Sequence, residues 1–251
     1  MTTRSDHRLV RLHVAAPLEA GAEPELDAAT AHYLGSVLRL RPGAGVRLFN
    51  AQDGEWEAVL LALDRKSARL RIQRLLRAAQ EDPVADIWLV FAPVKRAANE
   101  WLVEKATELG VRRIVPVITQ RSQTRRINQT RWQAIAREAA EQCERLSVPE
   151  IAELSDLATA LAHWPGERRL YVAVERAELP HLAARLVSAE HKNVPLALLI
   201  GPEGGWSCED LRVIEAQDAV CPISLGPRIL RAETAALFGL GLLVAHWDAG
   251  G

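Results

Sequence analysis

The sequence predicts an α/β chain in two parts, a small N-terminal β-barrel followed by a mostly parallel sheet with helices on both faces. Three observations predict it. Residues 1–77 hold short apolar-alternating runs separated by turn signals, the pattern of half-buried strands. From residue 83 onward, short apolar runs alternate with amphipathic stretches, as parallel strands joined by crossover helices require. Two late strands empty into glycine-rich, charged loops, and open α/β sheets bind ligands at the carboxyl ends of strands.

In the first part, strands are expected over Leu9 to Val14, Val46 to Phe49, Trp56 to Leu61 and Ala68 to Ile72. Turns separate them at Arg41-Pro42-Gly43-Ala44-Gly45 and Gln52-Asp53-Gly54. Between Thr30 and Arg39, the residues Tyr33, Leu34, Val37 and Leu38 fall at helical core spacing. The size suits an OB or PUA-type module, and such barrels often bind RNA, although fold alone does not establish function. The polar stretch Ala78 to Pro83 marks the boundary, giving domains of 1–77 and 83–251.

In the second part, strand Ile87 to Ala92 leads to a helix from Ala97 to Leu109, closed by Gly110. Strand Ile114 to Ile118 precedes a long helix, Gln129 to Arg145, with Trp132, Ile135, Ala136 and Ala139 on one face. Strand Leu170 to Val174 is followed by a helical patch from Pro180 to Ala189. Strand Leu196 to Ile200 empties into Gly201-Pro202-Glu203-Gly204-Gly205, and a helix starts behind Ser207, with Asp210 completing a capping box. Strand Val220 to Ser224 empties into Leu225-Gly226-Pro227-Arg228-Ile229-Leu230-Arg231, and a last helix runs from Ala232 to about His246.

Composition narrows the function. At 251 residues the chain has length enough for one large or two small domains, and 49% hydrophobic with 25% charged residues is ordinary for a soluble protein. No apolar run reaches the roughly 20 residues of a membrane span, and no signal-peptide segment opens the chain. Cys143, Cys208 and Cys221 form no CxxC or disulfide pattern, which points to a reducing cytoplasm. The seven histidines fall at no metal-ligand spacing, so no metal is expected.

The net charge of −1 argues against indiscriminate nucleic-acid binding, but the charge is uneven. Residues 1–77 carry 12 Lys/Arg against 9 Asp/Glu, and Val111 to Ala136 holds six arginines with no acidic residue. Such a run can be a solvated face. Clustered arginines also suit bidentate phosphate contacts, so RNA is the expected partner.

The glycine loops are not phosphate loops. No GxGxxG or GxxxxGK[ST] is present, and Glu203 would repel a phosphate. A glycine-rich loop with a carboxylate suits a ligand offering hydroxyls, amino groups or positive charge. Gly205-Trp206-Ser207-Cys208-Glu209 lacks the second glycine of a hydrolase nucleophile elbow.

Several segments together resemble one family. His32 and Val37-Leu38-Arg39-Leu40-Arg41-Pro42-Gly43 are similar to a PUA-like barrel. Glu104-Lys105-Ala106-Thr107-Glu108-Leu109-Gly110 and Glu138-Ala139-Ala140-Glu141-Gln142-Cys143, then LLIGPEGGW and SLGPRILRAETA, complete the match in the right order and spacing. The chain resembles the SPOUT-class RNA methyltransferases, specifically the bacterial 16S rRNA (uracil-N3)-methyltransferases, over almost its whole length. It departs from them at Glu144, where the family usually has glycine, and around Lys95 and Arg96, which lack the usual acidic neighbour.

The resemblance implies a C-terminal trefoil knot, S-adenosylmethionine as cofactor and a cytoplasmic homodimer that acts on 16S rRNA or the small ribosomal subunit. The implied cofactor segments are Leu199, Ile200, Gly201, Pro202, Glu203, Gly204 and Gly205, with Leu225, Gly226, Ile229 and Leu230. Leu199, Leu225, Ile229 and Leu230 would supply apolar walls, and Gly201 and Gly226 close backbone approach. Arg231 is expected to stabilise charge developing on the uracil carbonyls, with Glu233 and Glu203 as candidates for the base or for ordering the cofactor. Arg11, Arg39, Arg121, Arg125 and Arg126 are expected to contact RNA. Six phosphate contacts would cost roughly a thousandfold in affinity between low and physiological salt. A SPOUT enzyme acting on another RNA position, and a non-catalytic ribosome-assembly factor, remain as alternatives.

Overall fold

The computed structural model describes residues 9–82, 84–187 and 194–249. The chain divides into two units, residues 1–83 with 140–147, and residues 84–139 with 148–251.

The first unit is a five-stranded sheet: β1 (Arg11–His13), β2 (Glu25–Leu26), β3 (Gly45–Asn50), β4 (Gly54–Leu63) and β5 (Ala68–Arg77), in the order β1-β3-β4-β5-β2. Only β1 pairs in parallel, with β3. On β5, Ala68, Leu70 and Ile72 face the core and Arg69 and Arg71 face out, the period-2 alternation that predicts a strand with one wet face. The core of this unit gathers Leu12, Leu18, Leu34, Val46, Leu48, Leu60, Leu70 and Ile72. The helical patch proves to be two elements, α1 (Ala28–His32), capped by Asp27, and a turn of π-helix over Tyr33–Val37. Two-residue β2 carries too short a pattern to be seen in sequence.

Residues 140–147 join this unit through buried charge. Arg11 is 5% exposed. Its Nε donates to Glu55 at 3.0 Å, and its Nη groups donate to the carbonyls of Ala140 and Arg145 at 2.6 and 2.7 Å. The guanidinium also lies 3.4 Å above the Phe49 ring. Burial draws the Arg11 guanidinium below its ordinary value, and Glu55 opposes that shift. Arg47 donates to the same Glu55 oxygen and to Glu144, each at 3.0 Å. Glu144 has φ +63°, the left-handed conformation in which glycine costs nothing. The residue that stands where the resemblance expects a glycine therefore has a glycine-like backbone.

The second unit is built on a sheet whose described pairings are all parallel. Its strands are β6 (Ile87–Phe91), β7 (Arg113–Ile118), β8 (Glu150–Ile151), β9 (Ser155–Asp156), β10 (Arg169–Ala173), β11 (Leu196–Ile200) and β12 (Val220–Ile223). They lie in the order β12-β10-β11-β6-β7-β8, with β9 also on β7. All five residues of β11 are buried, as a central strand covered on both faces demands.

One face of the sheet carries α2 (Arg96–Glu108), α3 (Gln129–Gln142), α5 (Leu182–Val187) and α7 (Ala232–Asp248) over Leu89, Phe91, Leu198 and Ile200. The other carries α4 (Leu157–Ala162) and α6 (Cys208–Glu215) over Val90, Val172, Ala197 and Leu199. The capping box of α6 forms as expected: Asp210 N donates to Ser207 Oγ at 3.0 Å, and Ser207 N donates to Asp210 Oδ2 at 3.0 Å. β8, β9 and α4 are absent from the sequence reading, and α3 ends three residues before Arg145. The helical patch expected from Pro180 begins at Leu182, and its expected end at Ser188-Ala189 lies outside the described residues.

Candidate functional site

The order β12-β10-β11 brings the carboxyl ends of three strands side by side, and the segments leaving them enclose a cavity of about 760 Å³. That volume falls in the range of small-molecule sites, roughly 300–1,000 Å³. Of the residues singled out in the two glycine loops, Ile200, Gly201, Pro202, Glu203, Gly205, Leu225, Gly226, Ile229, Leu230 and Arg231 line it. Two segments distant in sequence thus meet at one site.

Three expected members stand elsewhere. Leu199 is fully buried on the opposite face of the sheet, among Val90, Val172 and Ile214, because successive residues of a strand face opposite ways. Gly204 turns away from the cavity and packs against Arg121, whose Nη1 donates to the Gly204 carbonyl at 2.9 Å. Glu233 lies in the first turn of α7 behind the lining, where a carboxylate complements the helix dipole.

The loop geometry follows from its residues. A Cβ on Gly201 would stand 2.9 Å from the Trp206 ring, so only glycine lets the strand end sit against that indole. Trp206 is held in turn by its Nε1, which donates to the Ala173 carbonyl at the end of β10 at 2.9 Å. Gly226 has φ +112°, which side chains rarely adopt, and its N–H donates to Ser224 Oγ at 3.1 Å. Beyond it Ile229 is 61% exposed, leaving apolar surface open on the rim.

The rest of the lining comes from residues outside the expected cofactor set: Trp206, Ser224 and Arg228, which lie within the matched segments, and Glu175, Arg176 and His181 after β10. Trp206 closes the matched segment LLIGPEGGW and could have joined the expected cofactor set on adjacency. The segment after β10 carries no glycine signature, and only the strand order puts it here. Carboxylates at Glu175 and Glu203 face arginines at Arg176, Arg228 and Arg231 around the same space, so the cavity offers contacts to both signs of charge.

The arginine run resolves into separate tasks. Arg112 faces Asp86 at 4.0 Å, Arg113 pairs with Glu150 at 3.1 Å, and Arg131 with Glu100 at 3.6 Å. Arg121 holds the glycine loop, and the next residue back, Gln120, donates its N–H to Asp210 Oδ1 at 3.1 Å. Arg125 and Arg126 are exposed, with no side-chain partner among the described residues. Arg39 is exposed, but Arg11, expected to reach RNA, is buried beneath Glu55 and two carbonyls. No cluster of His, Cys, Asp and Glu that could hold a metal is found among the described residues. Nor is any helix among them long and apolar enough to cross a membrane.

Residues 80–244 match the model of an RNA methyltransferase domain, and residues 26–73 that of an RNA methyltransferase PUA domain. Ribosomal RNA small subunit methyltransferase E of Synechocystis is 33% identical over 94% of this chain and 77% of its own length. The protein of that name from Rickettsia conorii is 30% identical over 86% of this chain and 88% of its own. The chain belongs to the ribosomal RNA small subunit methyltransferase E family. A solved member of the family, from Neisseria gonorrhoeae and bound to S-adenosylmethionine, superposes with a TM-score of 0.82 at 29% identity, covering 95% of this chain and 98% of that one.

Proposed function

We propose that the protein transfers the methyl group of S-adenosylmethionine to N3 of a uridine in the 16S rRNA of the small ribosomal subunit. The observation that carries this reading is the cavity where the two glycine loops meet, in a chain of this family. The residues present fit that cofactor. Ile200, Leu225, Ile229 and Leu230 offer apolar walls to an adenine, and Glu175 and Glu203 offer carboxylates to a ligand that carries positive charge.

Bound there, S-adenosylmethionine would supply an electrophilic methyl group on a positively charged sulfur. The chain's own contribution is placement and charge. Holding nucleophile and methyl in line removes much of the barrier. The N3 proton of uracil must leave before or during attack, and the negative charge left behind spreads onto the flanking carbonyl oxygens. Arg231, exposed on the cavity rim at the N-cap of α7, is placed to stabilise that charge. Glu203, on the facing loop, is the carboxylate that could take the proton, directly or through water. Glu233, outside the lining, is better suited to orienting the first turn of α7 than to receiving a proton.

The same reading makes the 1–77 domain, with Arg39, and the 83–251 domain, with Arg125 and Arg126, contributors to gripping RNA. The target base would be drawn out of its stack to reach the cavity. It also makes the protein a cytoplasmic homodimer whose two glycine loops belong to a trefoil knot.

The test is transfer of labelled methyl groups from S-adenosylmethionine to small subunits lacking the modification and to naked 16S rRNA, with nucleosides identified by mass. 3-Methyluridine is expected. A 2′-O-methyl product would overturn the N3 assignment, and cofactor and RNA binding without any product would leave a binding factor.

A further inference from the structure

The first unit bears two kinds of outward arginine. On β5, Arg71 donates to Glu23 at 2.7 Å and Arg74 to Glu57 at 2.6 Å, so their charge is spent inside the protein. Arg39 and Arg41 are also exposed, yet neither side chain has a hydrogen-bond or ion-pair partner among the described residues. Arg39 moreover holds φ +57°, a left-handed backbone that costs a non-glycine residue energy and that often marks a functional position. Directly before these arginines, the π-helical turn leaves large apolar groups in water. Tyr33 is 39% exposed and Val37, one turn on, is 59% exposed, with His32 exposed beside them. The turn's other side is committed to the core: Leu34 is fully buried, and a Cβ on Gly35 would stand 3.0 Å from Leu63. The outward set of side chains is therefore what the packing leaves over.

We propose that the face formed by His32, Tyr33, Val37, Arg39 and Arg41 binds unpaired RNA, a base stacking on the Tyr33 ring while the two guanidiniums hold adjacent phosphates. This rests on the reading of RNA as the substrate and adds where the first unit grips it. Unpaired RNA matches the surface better than duplex does. A duplex presents phosphates and 2′-hydroxyls and keeps its base faces stacked, so it has no use for an exposed ring. Single strands combine stacking platforms with cations that track the backbone, and both are present here within nine residues of sequence.

The experiment measures binding of the full chain to naked 16S rRNA and to single-stranded and duplex RNA 20-mers over a range of salt. Tyr33→Ala should weaken single-strand binding roughly tenfold, while Tyr33→Phe should retain it, because stacking needs only the ring. Arg39→Gln with Arg41→Gln should lower the salt slope by about 1.4, two contacts at roughly 0.7 each on single strands. Arg71→Gln with Arg74→Gln, on the compensated face, should leave both unchanged. S-adenosylmethionine affinity should be unaltered throughout, showing that each variant is folded. Wild-type affinity in the Tyr33→Ala and the double Arg39/Arg41 variants would overturn the inference and leave this face to a protein partner. Failure of the wild type to bind any of the RNAs would instead overturn the RNA-substrate reading itself.

Discussion

Arg231 and Arg121 are both exposed arginines beside the glycine loops, but their surroundings give them different work. Arg231 has no side-chain partner among the described residues and lines the cavity, so its charge is available to a substrate. Arg231→Ala should leave cofactor affinity within a few-fold and cut kcat by about 10²–10³, the usual cost of a lost transition-state donor, read by calorimetry and single-turnover transfer. Arg121 is spent on the Gly204 carbonyl. Arg121→Ala should therefore raise the cofactor Kd roughly three- to tenfold, the loss of one hydrogen bond, whereas Arg125→Ala should alter RNA affinity alone. Glu144 offers a test of backbone against side chain. Both Glu144→Gly and Glu144→Ala remove the carboxylate that meets Arg47, but only glycine is at ease at φ +63°. The glycine variant should be the more stable by about 1 kcal/mol in urea denaturation.

At the scale of elements, the site depends on how closely α7 lies on β11. A Cβ on Gly239 would meet Leu198 Cδ2 at 2.6 Å, and Leu198 is fully buried. Glycine to alanine inside a helix ordinarily gains up to about 1 kcal/mol. Here overpacking, about 1–3 kcal/mol, outweighs that gain, so Gly239→Ala should lower stability. Because α7 begins at the cavity, the shift should also weaken cofactor binding, which a titration of the folded variant would show. Asp210 is the second such joint. It is 4% exposed, caps α6 and accepts from Gln120, so one buried carboxylate anchors both the helix behind the GPEGG loop and the turn that carries Arg121.

For the molecule as a whole, the pairing of charges sets the strength of RNA binding. Three of the six arginines in the central run face acidic residues from elsewhere and Arg121 faces a carbonyl, which leaves Arg125 and Arg126. With Arg39 and Arg41 that makes four cations without partners among the described residues of these two segments, so their expected salt slope on single strands is about 2.8, four contacts at roughly 0.7 each. Affinity for naked 16S rRNA should then fall roughly fiftyfold between 50 and 200 mM salt, less steeply than the roughly three-hundredfold of six contacts at the same slope. A filter-binding series across that range would distinguish the two.

Local pattern alone determined the class of the fold and the chemistry of its two loops. The strands Ala68 to Ile72 and Leu196 to Ile200 were legible because burial on one face or on both writes itself into side-chain alternation or its absence. The α6 capping box was legible because its two partners are three residues apart. Tertiary structure alone decided what depends on contacts between residues distant in the chain. It placed Glu175 beside Gly205 and His181 beside Gly226, because β10 lies between β12 and β11. It turned Leu199 to the far side of the sheet, and it consumed Arg11 in a buried pair with Glu55, 44 residues away. Periodicity records which way a side chain points relative to its own element. Whether a charge is free or spent depends on which other element folds against it, and no local pattern carries that.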